Sequence, residues 1–302
     1  MKLRQPLLAL GAATLALTLI GCSPGGDSSP DDGAPADVSF PEGSPMAAIN
    51  EAGVVKVGVQ TTYPLIGLQE LNGFSGIDIE IAKLIAEELG IAEDKIEFVP
   101  VTTPTREPFI ENDQIDFAVA AYSITQSRED VIDFAGPYLE SPSALMVQKG
   151  NPQSISTLDD MVGKKLCLPA GSNQEAVLRE SHPELVDSFV FFDSSAKCRE
   201  SVLNGSVDAS TTEVAILTSF VAENPDELEV VQLANPYTTS FYGIGVKQEA
   251  DPVFCEWINE KLGAMFEDGR WAAAYDRTLG TVLGDAPAPP ELATCGDAPN
   301  TL

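Results

Sequence analysis

Strand-like and helix-like patterns alternate along most of this chain. Short apolar runs such as "VVKVGVQ" (54–60) and "KIEFVPV" (95–101) are typical of buried strands. Between them, "IDIEIAKLIAEELG" (77–90) places isoleucines and leucines on one helical face and ends in a glycine that suits a helix C-terminus. A further helix is predicted over 156–163, with a serine–aspartate capping box at its start. The alternation predicts an α/β fold with largely parallel sheets.

Two distant segments share one local design. "FIENDQIDFAVA" (109–120) and "SVLNGSVDASTT" (201–212) both end a helix with Asn, turn, and enter a strand of small residues after an Asp. The repetition suggests two α/β lobes of similar construction. Ligands of open α/β sheets lie outside the carboxyl ends of the strands, so two facing lobes predict a cleft between them.

The N-terminus has the form of an export signal. Lys2 and Arg4 precede an apolar run (7–21) that is too short to be a settled membrane span and ends at Cys22. This pattern predicts a signal peptide over 1–21, and its last residues, "LIGC", are typical of a bacterial lipobox whose Cys22 is lipidated. The alternative is an ordinary signal peptide with a chance cysteine. Residues 22–45, rich in Pro, Gly, Ser and Asp, are predicted to form a flexible tether.

The charge balance restricts the classes of partner. The chain has 46 acidic and 17 basic residues, for a net charge of −29. Nucleic-acid binding needs a basic face that neutralises phosphates, so a nucleic-acid partner is disfavoured. The acidity serves solubility and says nothing direct about a ligand.

Cys167, Cys198, Cys255 and Cys295 remain once Cys22 is assigned to lipidation. An exported protein can oxidise them, and an even number allows two disulfides in any of three pairings. Cys167–Cys198 and Cys255–Cys295 are favoured, since the first pair falls within one predicted substructure and the second ties the Pro-rich tail (286–302) to a late helix. No CxxC or HxxxH spacing supports the alternative of a zinc site, and we predict no metal.

Enzymatic signatures are missing from the sequence. It contains no GxSxG, HExxH, P-loop or GxGxxG motif, and its single histidine, His182, lies in a polar turn. Acid–base or Ser-His-Asp catalysis therefore has no candidate base. We predict a protein that is not an enzyme and needs no cofactor.

An isolated cation follows small hydroxyl residues in "AAYSITQSREDVIDFAGPY" (120–138), where Ser123 and Thr125 precede Arg128. The segment leaves a strand and enters a helix, where free backbone N–H groups and the helix dipole favour an anion. A guanidinium fork there suits a planar carboxylate. The alternative is a surface arginine that offsets Glu129 and Asp130.

This segment also resembles the S-x-T-x-x-R…F…PY signature of extracytoplasmic solute-binding proteins of polar amino-acid ABC importers, the bacterial family 3 type. The likeness extends through "GFSGIDIEIAKLIAEELG", "REPFIENDQID", "STLDDMVGKKLCLPAGSNQE" and "LNGSVDASTTEVAIL", over nearly the whole mature domain. The cysteines at 167 and 198, "AYSI" and "FYGIG" are most similar to actinobacterial glutamate-binding lipoproteins. The resemblance implies a two-lobe, type II periplasmic-binding-protein-like fold with two hinge crossovers.

The resemblance also implies a binding role for individual residues. Arg128 is expected to pair with the ligand α-carboxylate, supported by Ser123 and by main-chain groups near Ala121. Ser172 and Asn173 are expected to close onto the same carboxylate from the second lobe.

Glu213 lies where the family usually has the aspartate that receives the α-ammonium group. Glutamate keeps the charge and lengthens the side chain by one methylene. Its local alternative is an acid that stabilises the start of a helix.

Side-chain specificity is expected to depend on Gln60, Tyr63 and Arg106. Binders of basic amino acids tend to have an acid where this chain has Gln60, so a cationic ligand is disfavoured. Arg106 matches an arginine that can reach the distal carboxylate in glutamate and aspartate binders, although a structural arginine is equally common there. Glutamate is the first choice of ligand, followed by glutamine, asparagine and aspartate.

The expected organisation is a lobe 1 over 46–145 and 240–285, a lobe 2 over 146–239, and a disulfide-tethered tail over 286–302. The protein is predicted to be a monomer, anchored by lipid to the outer face of the cell membrane. It would bind a free amino acid and deliver it to a membrane permease. The alternatives are an enzyme on the same fold, such as a prephenate- or arogenate-type dehydratase, and a ligand-sensing subunit of a receptor.

Overall fold

A computed structural model of the chain describes residues 38–249 and 252–297. The predicted signal peptide, the predicted lipidation site at Cys22 and most of the tether lie outside the described residues.

The helices within this part of the chain are α1 (Pro45–Ala52), α2 (Ile77–Glu88), α3 (Arg106–Glu111), α4 (Gln126–Glu129), α5 (Asn173–Ser181), α6 (Ser195–Leu203), α7 (Val214–Glu223), α8 (Val253–Asp268), α9 (Arg270–Asp276) and α10 (Gly280–Leu283). Across the described ranges, none of them combines the length and apolar character needed to cross a membrane. The strands are β1 (Val55–Val59), β2 (Thr62–Tyr63), β3 (Gly67–Glu70), β4 (Gly73–Ser75), β5 (Ile96–Pro100), β6 (Phe117–Ala118), β7 (Ile132–Gln148), β8 (Leu166–Pro169), β9 (Phe189–Phe192), β10 (Ala209–Glu213), β11 (Leu228–Gln232) and β12 (Thr239–Lys247).

One large sheet organises the molecule. Among the described residues its strand order is β5-β1-β6-β12-β7-β10-β8-β9, with β11 also paired to β7. We call β5, β1 and β6 the first half and β10, β8, β9 and β11 the second half. Within the first half, and between β10, β8 and β9 of the second, the strands pair in parallel, as predicted. All pairings with β7 and β12 are antiparallel, so the whole sheet is mixed rather than largely parallel.

Strands β7 and β12 join the two halves. From Ile132 to Pro142, β7 pairs with β12. From Ser143 onwards it pairs instead with β10 and β11. The sequence predicts crossovers at "SALMVQKG" (143–150) and "TSFYGIGVK" (239–247), extended segments able to absorb a rotation of one half against the other. Strand β7 changes partner where the first of these segments begins, and β12 spans the second.

Helix α2 shows how the sequence pattern produces the core. Ile77, Ile81 and Ile85 are fully buried, as the helical periodicity predicts. Gly90 follows the helix with φ of 74°, a left-handed conformation that glycine adopts without a Cβ clash. Asp78, one residue into the helix, is fully buried as well, which the periodicity does not predict.

The helix predicted over 156–163 does not form. Only a 3₁₀ turn is present, Asp159–Met161. The predicted capping box is replaced by the Asp160 carboxylate, which accepts the backbone N–H groups of Ser156 at 2.8 Å and Thr157 at 2.9 Å. Side-chain hydrogen bonds of this kind compete with the helical ladder.

The structure contains both favoured disulfides. Cys167–Cys198 and Cys255–Cys295 close loops of 31 and 40 residues. On the chain-entropy model each contributes about 3–4 kcal/mol to stability. The second bond holds the tail against α8, where the Asn259 amide donates to the Ala293 carbonyl at 2.9 Å.

Candidate functional site

A narrow cavity lies where the two halves of the sheet meet. Every residue predicted to bind the ligand lines it: Gln60, Tyr63, Arg106, Ala121, Ser123, Arg128, Ser172, Asn173 and Glu213. The lining also includes residues that were not predicted: Thr103, Pro169, Gln174, Ser195, Thr212 and Ile216.

Arg128 is held rigidly at the cavity wall. Its Nη1 donates to the Ser123 carbonyl at 2.6 Å, and its Nη2 donates across the interface to the Gly171 carbonyl at 3.1 Å. Its Nε pairs with Glu107 at 3.2 Å, so its acid partner is not Glu129 or Asp130, and the side chain is buried. Burial, with Arg106 nearby, lowers its pKa to about 10, which leaves the guanidinium charged at neutral pH.

Arg106 occupies a second cationic position on the same wall. Its Nη1 donates to the carbonyls of Ala120 at 2.9 Å and Ala121 at 3.1 Å. The guanidinium lies 4.0 Å above the Tyr122 ring, and that of Arg128 lies 5.3 Å from the same ring. The Arg106 Nε is buried without a hydrogen-bond partner in the structure, so the residue still has a donor to offer.

Glu213 faces the cavity from the other half of the sheet. It ends β10 and precedes α7, but its side chain does not cap that helix. Its carboxylate instead accepts hydrogen bonds from the hydroxyls of Ser123 at 3.2 Å and Thr212 at 2.5 Å. Glu213 is also the N-cap residue of α7, so its position matches the local alternative of an acid at a helix start as well.

The start of α5 contributes polar groups from the second half. Ser172 is the N-cap, and its hydroxyl accepts the Glu175 backbone N–H at 3.2 Å. The side-chain amides of Asn173 and Gln174 each reach the Ser240 hydroxyl at 3.4 Å. The hydroxyl of Ser172 thus stabilises the helix, and the start of α5 lies at the cavity, where the free N–H groups of a helix N-terminus suit an anion.

Tyr63, on β2, contacts α6 and α7. Its hydroxyl accepts the Ser195 backbone N–H at 2.9 Å, and its ring packs edge-to-face against Phe220 with centroids 5.6 Å apart. Burial raises the pKa of the phenol, so it stays protonated. Gln60 is buried nearby, with 2% of its surface exposed.

Asp78 lies directly behind the cavity wall. Its carboxylate accepts the Ala121 N–H at 2.7 Å and the Tyr138 hydroxyl at 2.6 Å. Burial raises its pKa to about 7, against the opposing effects of these hydrogen bonds and of Arg106. The sequence carries one signal for this residue, an acid between two isoleucines of an apolar helix face.

Several of the lining residues that were not predicted occupy positions typical of ligand sites. Thr103 and Ser195 follow β5 and β9, and Thr212 is the next-to-last residue of β10, so all lie at the carboxyl ends of strands, where α/β proteins bind ligands. Gln174 is in the first turn of α5. Within the described residues no group of His, Cys, Asp or Glu side chains is arranged to hold a metal ion.

Residues 55–281 match the family of bacterial extracellular solute-binding proteins, family 3. The chain belongs to this family. As a family 3 protein it is related to the glutamate-binding protein GluB of Corynebacterium glutamicum, at 33% identity over 300 residues, covering 95% of this chain and 93% of that protein. It is also 35% identical over 238 residues to the ABC transporter glutamine-binding protein GlnH of Bacillus subtilis, covering 78% and 84% of the two chains.

Solved structures of amino-acid receptors share the fold of this solute-binding protein. The solute receptor for L-cysteine of Neisseria gonorrhoeae has a TM-score of 0.73 at 30% identity, covering 79% of this chain and 95% of that one. An ancestral arginine-binding protein bound to glutamine has a TM-score of 0.67, also at 30% identity, covering 77% and 99%. The family 3 protein therefore has the two-lobe, type II fold, with its cavity between the lobes.

Proposed function

We propose that this solute-binding protein captures a polar amino acid, glutamate by preference, and delivers it to the membrane permease of an ABC importer. The observation that carries the proposal is the pairing of Arg128 and Glu213 around one cavity. Arg128 supplies a fixed cation for an α-carboxylate, and Glu213 supplies an anion for an α-ammonium group. Ser123 joins them, because its carbonyl accepts from Arg128 and its hydroxyl donates to Glu213.

The charges on the lining favour an acidic ligand side chain. The charged lining residues are Arg106, Arg128 and Glu213. Arg128 matches the ligand α-carboxylate and Glu213 matches the ligand ammonium. Arg106 then remains as an excess cation with a free buried donor. Gln60 carries no charge to offset a lysine or arginine side chain. Relatives are named for glutamate and for glutamine. The proposed order of preference is glutamate first, then glutamine, asparagine and aspartate.

Contacts to both lobes explain how binding is signalled to the permease. A ligand held by Arg128 in one lobe and Glu213 in the other stabilises the closed form, because only that form makes both sets of contacts. The lobes are proposed as 46–145 with 240–285, and 146–239. The protein is proposed to act as a monomer, anchored by a lipid on Cys22 after removal of residues 1–21. Metabolic labelling with a fatty acid should mark the wild type and not Cys22→Ser.

A dehydratase on the same fold is the second candidate. An ancestral amino-acid-binding protein described as a precursor of cyclohexadienyl dehydratase has a TM-score of 0.68 at 26% identity to this chain. Incubation with prephenate or arogenate followed by product analysis separates the two functions, since a binding protein returns the acid unchanged.

Calorimetric titration of the purified domain with each common amino acid tests the main proposal. We expect glutamate to bind most tightly and lysine and arginine not to bind. Tightest binding of a cationic amino acid would contradict it.

A further inference from the structure

Asp78 is a buried carboxylate that binding of an amino acid does not require directly. It lies in the first turn of α2, with none of its surface exposed, and it does not line the cavity. Its hydrogen bond to the Ala121 N–H nevertheless connects it directly to a residue that lines the cavity.

Ala121 connects Asp78 to Arg106. Its N–H donates to Asp78 at 2.7 Å, while its carbonyl accepts from Arg106 Nη1 at 3.1 Å. Ala121 has φ of 46°, a left-handed conformation that is costly for a residue with a Cβ. The two charged side chains therefore hold the same strained residue from opposite sides.

The partners of the two arginines differ. Arg128 forms an ion pair with Glu107 at 3.2 Å. Arg106 donates to two neutral backbone carbonyls, and of the ion pairs formed within the described residues none involves it. Asp78 is linked to Arg106 through Ala121 and interacts with its charge, so an ionised Asp78 offsets part of the Arg106 charge.

We propose that Asp78 selects between acidic and amide ligand side chains. As a carboxylate it offsets Arg106 and suits the neutral side chain of glutamine. As a neutral acid it leaves Arg106 to pair with the side-chain carboxylate of glutamate. This inference rests on the proposed function. It adds that binding of glutamate is coupled to protonation of Asp78, whereas binding of glutamine is not.

The surroundings of Asp78 allow both charge states near neutral pH. Tyr138 faces it from β7 and donates at 2.6 Å, Tyr242 lies near it from β12, and Arg106 faces it from α3. Both tyrosines have pKa values well above their ordinary range, because they are buried, so neither changes charge there. Burial of Asp78 outweighs its hydrogen bonds and Arg106 and raises its pKa to about 7.

The test is titration calorimetry of the wild type and Asp78→Asn with L-glutamate and L-glutamine, between about pH 6 and about pH 8 and in buffers of different ionisation enthalpy. For the wild type we expect the glutamate Kd to rise about fivefold with pH, with net proton uptake near pH 7, and the glutamine Kd to change by less than about twofold. Asp78→Asn should bind glutamate with a flat pH profile and no proton uptake, since asparagine mimics the neutral acid.

Glu129→Gln is the matched control. Burial, with Asp297 and Asp133 as further causes, raises the pKa of Glu129 to about 7 as well, but Glu129 does not line the cavity. Glu129→Gln should keep the wild-type pH profile. Equal proton uptake for both ligands, or its persistence in Asp78→Asn, overturns the inference. If Asp78→Asn does not fold, the wild-type difference between glutamate and glutamine decides alone. Failure of both ligands to bind at any pH contradicts the proposed function itself.

Discussion

The Tyr63 hydroxyl accepts a hydrogen bond from the Ser195 backbone N–H at 2.9 Å, across the interface between the two lobes. The contact involves no ligand, so it favours the closed form by itself. Because Ser195 begins α6, the bond also satisfies one of the free N–H groups at a helix start.

Tyr63→Phe should therefore weaken ligand binding by about three- to tenfold, since it removes one neutral hydrogen bond of the closed form and keeps the ring on Phe220. Calorimetry with glutamate measures the loss. Tyr237→Phe is the control: it removes a 2.7 Å hydroxyl contact to Thr211, on the second half of the sheet, and should leave the Kd unchanged. Equal losses in both variants would argue against a role for Tyr63 in closure.

Arg128→Lys should reduce affinity for every amino acid by at least about a hundredfold. Lysine keeps the charge but cannot hold a carboxylate bidentately while also donating to Ser123 and Gly171. Arg179→Lys, on an exposed arginine paired with Glu175, is the control. Thermal unfolding should show that both variants fold. An Arg128→Lys variant that titrates like the wild type would mean that the carboxylate binds elsewhere.

Glu213→Gln should weaken binding by about ten- to a hundredfold, because an amide cannot neutralise the ligand ammonium in a buried site. The loss should be the same for glutamate and glutamine, since both carry that ammonium group. Glu223→Gln, at an exposed pair with Arg199, should have no effect on the Kd. A loss confined to one of the two ligands would place Glu213 at the side chain instead.

The raised pKa of Asp78 predicts a pH dependence of stability. A carboxyl group whose pKa is about 7 in the folded state holds its proton more tightly than the unfolded chain does. The stabilisation of the folded state by this group is therefore fully present below about pH 4 and is lost as the pH rises through about 7. As the pH rises from about 4 to about 7, the free energy of unfolding of Asp78→Asn should increase relative to that of the wild type by on the order of 2–4 kcal/mol. Denaturant unfolding at both pH values measures this, and a constant difference would contradict the raised pKa.

The positions of the candidate site residues at the cavity could be predicted because these residues follow local rules. Arg128, Ser172 and Glu213 each lie where a strand gives way to a helix, and the family motif supplies their roles. The residues that hold these side chains and their backbone in place could not be predicted in this way. The pairing of Glu107 with Arg128 and that of Asp78 with Ala121 depend on how distant segments pack. The small sheet of β2, β3 and β4 was missed because "TTYPLIGLQELNGFS" (61–75) lacks a regular alternation.

The part of the fold that was predicted wrongly has a clear cause. Alternating strands and helices favour parallel pairing, but β7 and β12 both run between the lobes and pair antiparallel with each other. The pattern of strands and helices along one sequence does not show which strands pass from one lobe to the other. The failed helix over 156–163 has a local cause instead, the competition from the Asp160 side chain.

Both ends of the described chain are fastened to α8. Phe40 packs edge-to-face on Trp257 with centroids 5.8 Å apart, and Cys295 is bonded to Cys255. A fusion tag or an immobilising surface attached through either terminus is therefore coupled directly to the lobe that contains α8 and not to the other lobe. The other lobe keeps its freedom to swing, so labels that report opening belong on its exposed side chains, such as Lys197.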